Sequence, residues 1–119
     1  MLSAARRGRS EAFANVLTVV TLPEAGPEAF LDAAAAFCNE RVWGTLSASV
    51  IVHPSLARAQ PALEDRVCAA LHYGCVSVNA TGYVAYPTFT CVWGGHPAVE
   101  RLDNLQSGPG PPPPPPPPP

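Results

Sequence analysis

Apolar residues along this chain fall into three short β-branched runs separated by longer stretches of helical spacing. The first run, Val16-Leu17-Thr18-Val19-Val20-Thr21-Leu22, is almost continuously apolar. That pattern predicts a strand over 16–22 that is buried on both faces, as in parallel sheets. Pro23 ends it, and Glu24-Ala25-Gly26 supplies the turn. Pro27 then sits where a helix can begin without losing a hydrogen bond. Glu28 and Asp32 suit the positive end of that helix. Phe30, Ala33, Ala34 and Phe37 recur at helical spacing and predict an apolar stripe directed at the core of a helix near 28–41. Gly44 is placed to terminate it.

A second strand is predicted over 46–52, strongest at Val50-Ile51-Val52 and closed by His53-Pro54. Ser55 can cap a helical turn after it. Pro61 lies too deep for one continuous helix, so the helix either kinks there or restarts with Pro61 at its first position. Leu63, Val67, Ala70 and Leu71 form the apolar face of a helix near 61–73, ended by Gly74. Cys75-Val76-Ser77-Val78-Asn79 is the third predicted strand. Strand, helix, strand, helix, strand implies right-handed crossovers, a parallel βαβαβ sheet and covering helices in a three-layer α/β arrangement. Two crossovers running the same way place both helices on one face. The other face is left in need of cover.

Periodicity ends after Asn79. Gly82, Pro87, Gly94-Gly95 and Pro97 mark a loop-rich segment that carries Tyr83, Tyr86, Phe89 and Trp93. Ser107-Gly108-Pro109-Gly110 leads into nine consecutive prolines, Pro111 to Pro119. Such a run has no core to join and adopts polyproline II. The chain thus divides into a flexible start over 1–10, one foldable unit over 11–106, and a Gly/Pro linker with a disordered polyproline tail over 107–119.

Composition narrows the function. Of 119 residues 47% are hydrophobic, which permits a small core. A net charge of −2 provides no basic face for a phosphate backbone, so nucleic acid is not an expected partner. No apolar run reaches the ~20 residues that span a bilayer, and no membrane partner is expected. Arg6, Arg7 and Arg9 form the one basic cluster; a cytoplasmic location is expected, with an organellar one as the alternative. Cys38, Cys68, Cys75 and Cys91 form no C-x-x-C pair, so they read as buried thiols rather than metal ligands. Asn79-Ala80-Thr81 is a formal glycosylation sequon without a secretory signal to go with it.

Three segments, in order and at matching spacing, resemble the aldehyde dehydrogenase superfamily. Glu11-Ala12-Phe13-Ala14-Asn15-Val16 is similar to the family's E-x-F-G-P-V signature before a buried strand. Ala36-Phe37-Cys38-Asn39-Glu40 through Trp43-Gly44-Thr45-Leu46-Ser47-Ala48-Ser49-Val50 is similar to A-N-x-x-x-Y-G-L-x-A-x-V. Gly74-Cys75-Val76-Ser77-Val78-Asn79 is similar to G-x-V-x-V-N, and Trp93-Gly94-Gly95 stands where the family has an aromatic-Gly-Gly. The resemblance covers roughly residues 10 to 107 and implies the C-terminal part of a catalytic domain that oxidises aldehydes with NAD or NADP.

By that likeness Glu11 hydrogen-bonds the nicotinamide ribose, Phe13 lies against the nicotinamide, Trp93 walls the aldehyde pocket, and Asn79 has a structural role. Ala14-Asn15 departs from Gly-Pro, and His96-Pro97-Ala98-Val99-Glu100 replaces a glycine-rich helix start. The family's cysteine nucleophile and nucleotide-binding domain lie upstream of the first signature. None of the four cysteines here holds the nucleophile's place, and no G-x-G-x-x-G turn is present. No catalytic residue is therefore assigned, and the expected partner is the remainder of the catalytic and nucleotide-binding domains. The alternative is an interaction protein whose Pro111–Pro119 run docks into an SH3-, WW- or profilin-type groove.

Overall fold

A computed structural model describes residues 14–88, 93–99, 101 and 103. Helix α1, Pro27–Arg41, begins where the sequence places it, with Gly26 extended at the N-cap and the Phe30 amide donating to the Gly26 carbonyl at 2.8 Å. Strand β1 is Ser47–Val50. Helix α2, Pro54–Ala59, and helix α3, Pro61–Ala70, follow. The break between them lies at Gln60, whose φ of −137° and ψ of 73° are not helical, so Pro61 restarts the helix rather than kinking it. His53, not Ser55, caps α2: its Nδ1 accepts from the Ser55 amide at 3.2 Å. Strand β2 is Cys75–Val78, and Gly82–Thr88 is a 3-10 turn.

β1 and β2 pair in parallel, with Ser47 opposite Cys75 and Val50 opposite Val78. Ladder-like bonds run past both ends: Gly74 N–H donates to the Thr45 carbonyl at 2.8 Å, and Asn79 N–H to the Val50 carbonyl at 2.8 Å. Side chains alternate between faces along a strand. Ala48, Val50, Val52 and Val76 share one face and pack with Ala35 of α1 and with Leu63, Val67 and Leu71 from α3 and its C-terminal end. Leu63 and Val67 are only 3% and 2% exposed and form the centre of this core. α1 and α3 thus both pack on one face of the pair.

Three expectations are corrected. The fold is a two-stranded parallel α/β unit, not three strands in three layers: no strand forms over 16–22. Val16, Leu17, Val19 and Val20 stand in water, Leu17 at 87% exposure. A strand apolar on both sides gains by pairing only if both sides are then covered, and the described helices lie on one side of the sheet.

Second, the inward stripe of α1 is Leu31, Ala35 and Cys38, one position round from the predicted Phe30, Ala34 and Phe37. Small side chains there let α1 approach α3, whereas Phe30 is exposed. Third, the sheet's other face is not apolar. It carries Ser47, Ser49, Cys75 and Ser77, with Ser49 Oγ and Ser77 Oγ 3.2 Å apart and the Gly82 amide donating to Ser49 Oγ at 3.1 Å. The serines at 47, 49 and 77 stand at alternate positions in the sequence, but that they face the turn at Gly82 is set by the fold.

Polar side chains tie the layers. Arg66 Nη1 and Nη2 reach Asp32 Oδ2 at 2.8 Å and Glu28 Oε1 at 3.0 Å, joining α3 to the start of α1. Asn39 donates through Nδ2 to the Ala70 carbonyl at 2.8 Å and accepts through Oδ1 from the His72 amide at 2.9 Å. The Asn39 side chain thus matches both backbone groups left over where α3 ends.

Candidate functional site

Asn79 and the Trp93-Gly94-Gly95 segment lie at opposite ends of the parallel pair. At the N-terminal end, Gly44 (φ 92°) turns the chain into β1, and Gly74 leads into β2. The Gly94 carbonyl lies against the Cα of Gly74, so closely that any Cβ at 74 would overlap it. Thr45, 7% exposed, accepts the His96 amide through Oγ1 at 3.2 Å. The rings of His96 and His72 lie 5.3 Å apart, tilted by 34°. His96 Nδ1 accepts from the Ala98 amide at 3.3 Å, which leaves Nε2 as the ring's N–H in the neutral form. Trp93-Gly94-Gly95-His96 is thus docked on the mouth of the sheet by a glycine-to-glycine contact and one threonine.

Trp93 itself is 51% exposed, and its ring lies 5.1 Å from that of Tyr86 at 56°. The Tyr86 hydroxyl is buried without a hydrogen-bond partner. Glu11 and Phe13 lie outside the described residues, so Trp93 is the one predicted site residue whose surroundings are on view.

At the C-terminal end Asn79 adopts φ 53° and accepts the Val52 amide through Oδ1 at 2.8 Å. The structural role expected of Asn79 is visible here: its side chain takes over the ladder where the backbone turns away. Sequence reading gave no site role to Asn39, Thr45, His96 or Tyr86. The signals were slight: an amide three residues before the helix C-cap, a threonine after a glycine, a histidine after Gly-Gly, and a tyrosine three residues after another in a turn.

Cys38 and Cys68 are not activated thiols. Burial pushes the Cys38 thiol up from its ordinary value, against a smaller opposing pull from the Tyr73 hydroxyl. Burial, then Asp65 and Glu64, pushes Cys68 up. Cys75 is buried under the serine face, and Cys91 lies outside the described residues. Raised thiols are the opposite of what a nucleophile needs. Tyr73 is pushed up to about 12 by burial and then by Cys38. Among the described residues no group of three or more His, Cys, Asp or Glu is placed to hold a metal ion, and no helix is long and apolar enough to cross a membrane.

No family model matches the chain, and neither does any curated protein or solved structure.

Proposed function

We infer that this chain is a piece of the catalytic domain of an NAD(P)-dependent aldehyde dehydrogenase, inactive until joined to the segments that bear the cysteine nucleophile and the nucleotide cradle. The observation that carries the reading is spatial. Two of the segments that resemble the family, 36–50 and 74–79, contribute the paired parallel strands Ser47–Val50 and Cys75–Val78, and Trp93-Gly94-Gly95 packs through Gly94 onto Gly74, at the start of the second. Residues far apart in sequence that share a family-like pattern thereby meet at one place.

In this reading Val16–Leu22 is a third parallel strand in the complete enzyme. Right-handed crossovers with both helices on one face put it beside β1, on the edge away from β2. An apolar groove of about 170 Å³ lies there, lined by Phe30, Ala34, Ala48 and Ile51 among others. Upstream segments would cover its outer face. Glu11 and Phe13, just ahead of that strand, would meet the nicotinamide ribose and ring of NAD or NADP. Trp93 would wall the aldehyde pocket. What this chain supplies is positioning; the nucleophile, the base and the hydride acceptor come from elsewhere.

The test is a chimera in which residues 11–106 replace the matching segment of a working aldehyde dehydrogenase. Hydride transfer to the nicotinamide should survive, and Glu11→Ala should raise the KM for the cofactor more than it lowers kcat. A folded chimera whose cofactor affinity is left unchanged by Glu11→Ala would overturn the assignment.

A further inference from the structure

Tyr86 and Trp93 lie side by side outside the core, and Tyr83 precedes Tyr86 by one turn. Tyr83 and Tyr86 are three residues apart in the 3-10 turn Gly82–Thr88, where residues at i and i+3 lie on the same side. Trp93 extends the row, 5.1 Å from Tyr86. Tyr83 is 74% exposed and Trp93 about half exposed. From the ~2 Å rise per residue of a 3-10 turn, Tyr83 and Tyr86 are about 6 Å apart along its axis. The row is therefore up to about 11 Å long. A polyproline II helix repeats every three residues, roughly 9 Å. Its recognition grooves are rows of aromatic rings with donors, since a proline backbone offers acceptors alone. The indole N–H of Trp93, a ring about half exposed, is such a donor.

The same chain carries the ligand. Pro111–Pro119 is long enough to hold several registers on a row of this length. Residues 104–110 connect it to Asp103, and this connection reaches up to about 27 Å at ~3.3–3.6 Å per residue. Between Trp93 and Asp103 the chain turns back at Pro97–Val99, where the Val99 amide donates to the His96 carbonyl at 2.9 Å. We propose that the Tyr83–Tyr86–Trp93 row is a polyproline-binding surface whose occupant is this chain's own Pro111–Pro119 segment, docked in cis. The docking does not require the aldehyde dehydrogenase reading, although both use Trp93. It also makes the tail a competitor of any outside proline-rich ligand.

The experiment compares the full chain, in a Trp43→Phe background so that Trp93 alone reports, with a variant in which all nine prolines of the tail are changed to serine. A synthetic nonaproline peptide is the probe. Trp93 emission should be blue-shifted in the proline-tailed chain at every protein concentration. The peptide should restore that shift in the serine-tailed variant. A tether holds its ligand at an effective concentration on the order of millimolar, so a peptide of ~100 μM affinity should bind the proline-tailed chain about tenfold more weakly. Tyr83→Ala, at an exposed position, should weaken peptide binding to the serine-tailed variant severalfold without unfolding it. Identical Trp93 emission with either tail, equal peptide affinity for both, or a shift that grows with protein concentration would overturn docking in cis.

Discussion

Asn79 combines two structural demands that substitutions can separate. Its φ of 53° lies in the left-handed region, and its Oδ1 accepts the amide of Val52, a residue only 4% exposed. Asn79→Ala removes the acceptor and leaves that amide unsatisfied in a closed place, which costs about 1–3 kcal/mol. Alanine also pays about 1 kcal/mol in the left-handed region that asparagine tolerates better. The sum, about 2–4 kcal/mol, is a large part of the ~5–15 kcal/mol typical of a folded domain. Asn79→Gly loses the acceptor but relaxes the backbone, so it should cost about 1 kcal/mol less than alanine. Asn79→Asp keeps an acceptor at Oδ1 and should cost least. Urea unfolding followed by far-ultraviolet circular dichroism gives the three midpoints, with alanine lowest and aspartate nearest to the parent. Equal midpoints for alanine and glycine would refute the backbone part of the reasoning. Aspartate as damaging as alanine would refute the hydrogen-bond part.

Gly74→Ala should destabilise by about 2 kcal/mol or more and loosen the Trp93–His96 segment, because the new Cβ meets backbone at Gly94 rather than a movable side chain; a Trp93 emission spectrum unchanged from the parent would contradict the packing. Because the Tyr73 hydroxyl is raised from 10.0 to about 12, its share of stability is complete below pH 10 and is lost as pH rises towards 12. Tyr73→Phe should flatten that alkaline decline, as measured by urea midpoints across pH 9–12. Leu17→Asp, in the exposed segment, should alter stability by less than about 0.5 kcal/mol and reduce hydrophobic-dye binding, whereas Val67→Ala should cost roughly 1–3 kcal/mol. The purified chain should make no NADH from simple aldehydes, and Cys38→Ala should leave that baseline unchanged.

The local features were legible in the chain because they depend on near neighbours. Pro27 and Pro61 mark helix starts since proline loses nothing at a first helical position, and both helices begin there. The β-branched stretches around Val50 and Val76 read as strands, and their parallel pairing follows from the helices between them. The structural role of Asn79 came from the family resemblance rather than from its neighbours.

Other features belong to the tertiary structure alone. Which stripe of α1 turns inward depends on how closely α3 approaches, and a rotation of one residue exchanges Phe30 for Leu31. Whether Val16–Leu22 pairs depends on cover for both of its faces, a property of what surrounds it rather than of its own residues. Gly74 and Gly94 meet across twenty positions only because the sheet and the following loop bring their backbones together. The aromatic row arises for the same reason: three per turn aligns Tyr83 with Tyr86, but only the fold sets Trp93 beside them.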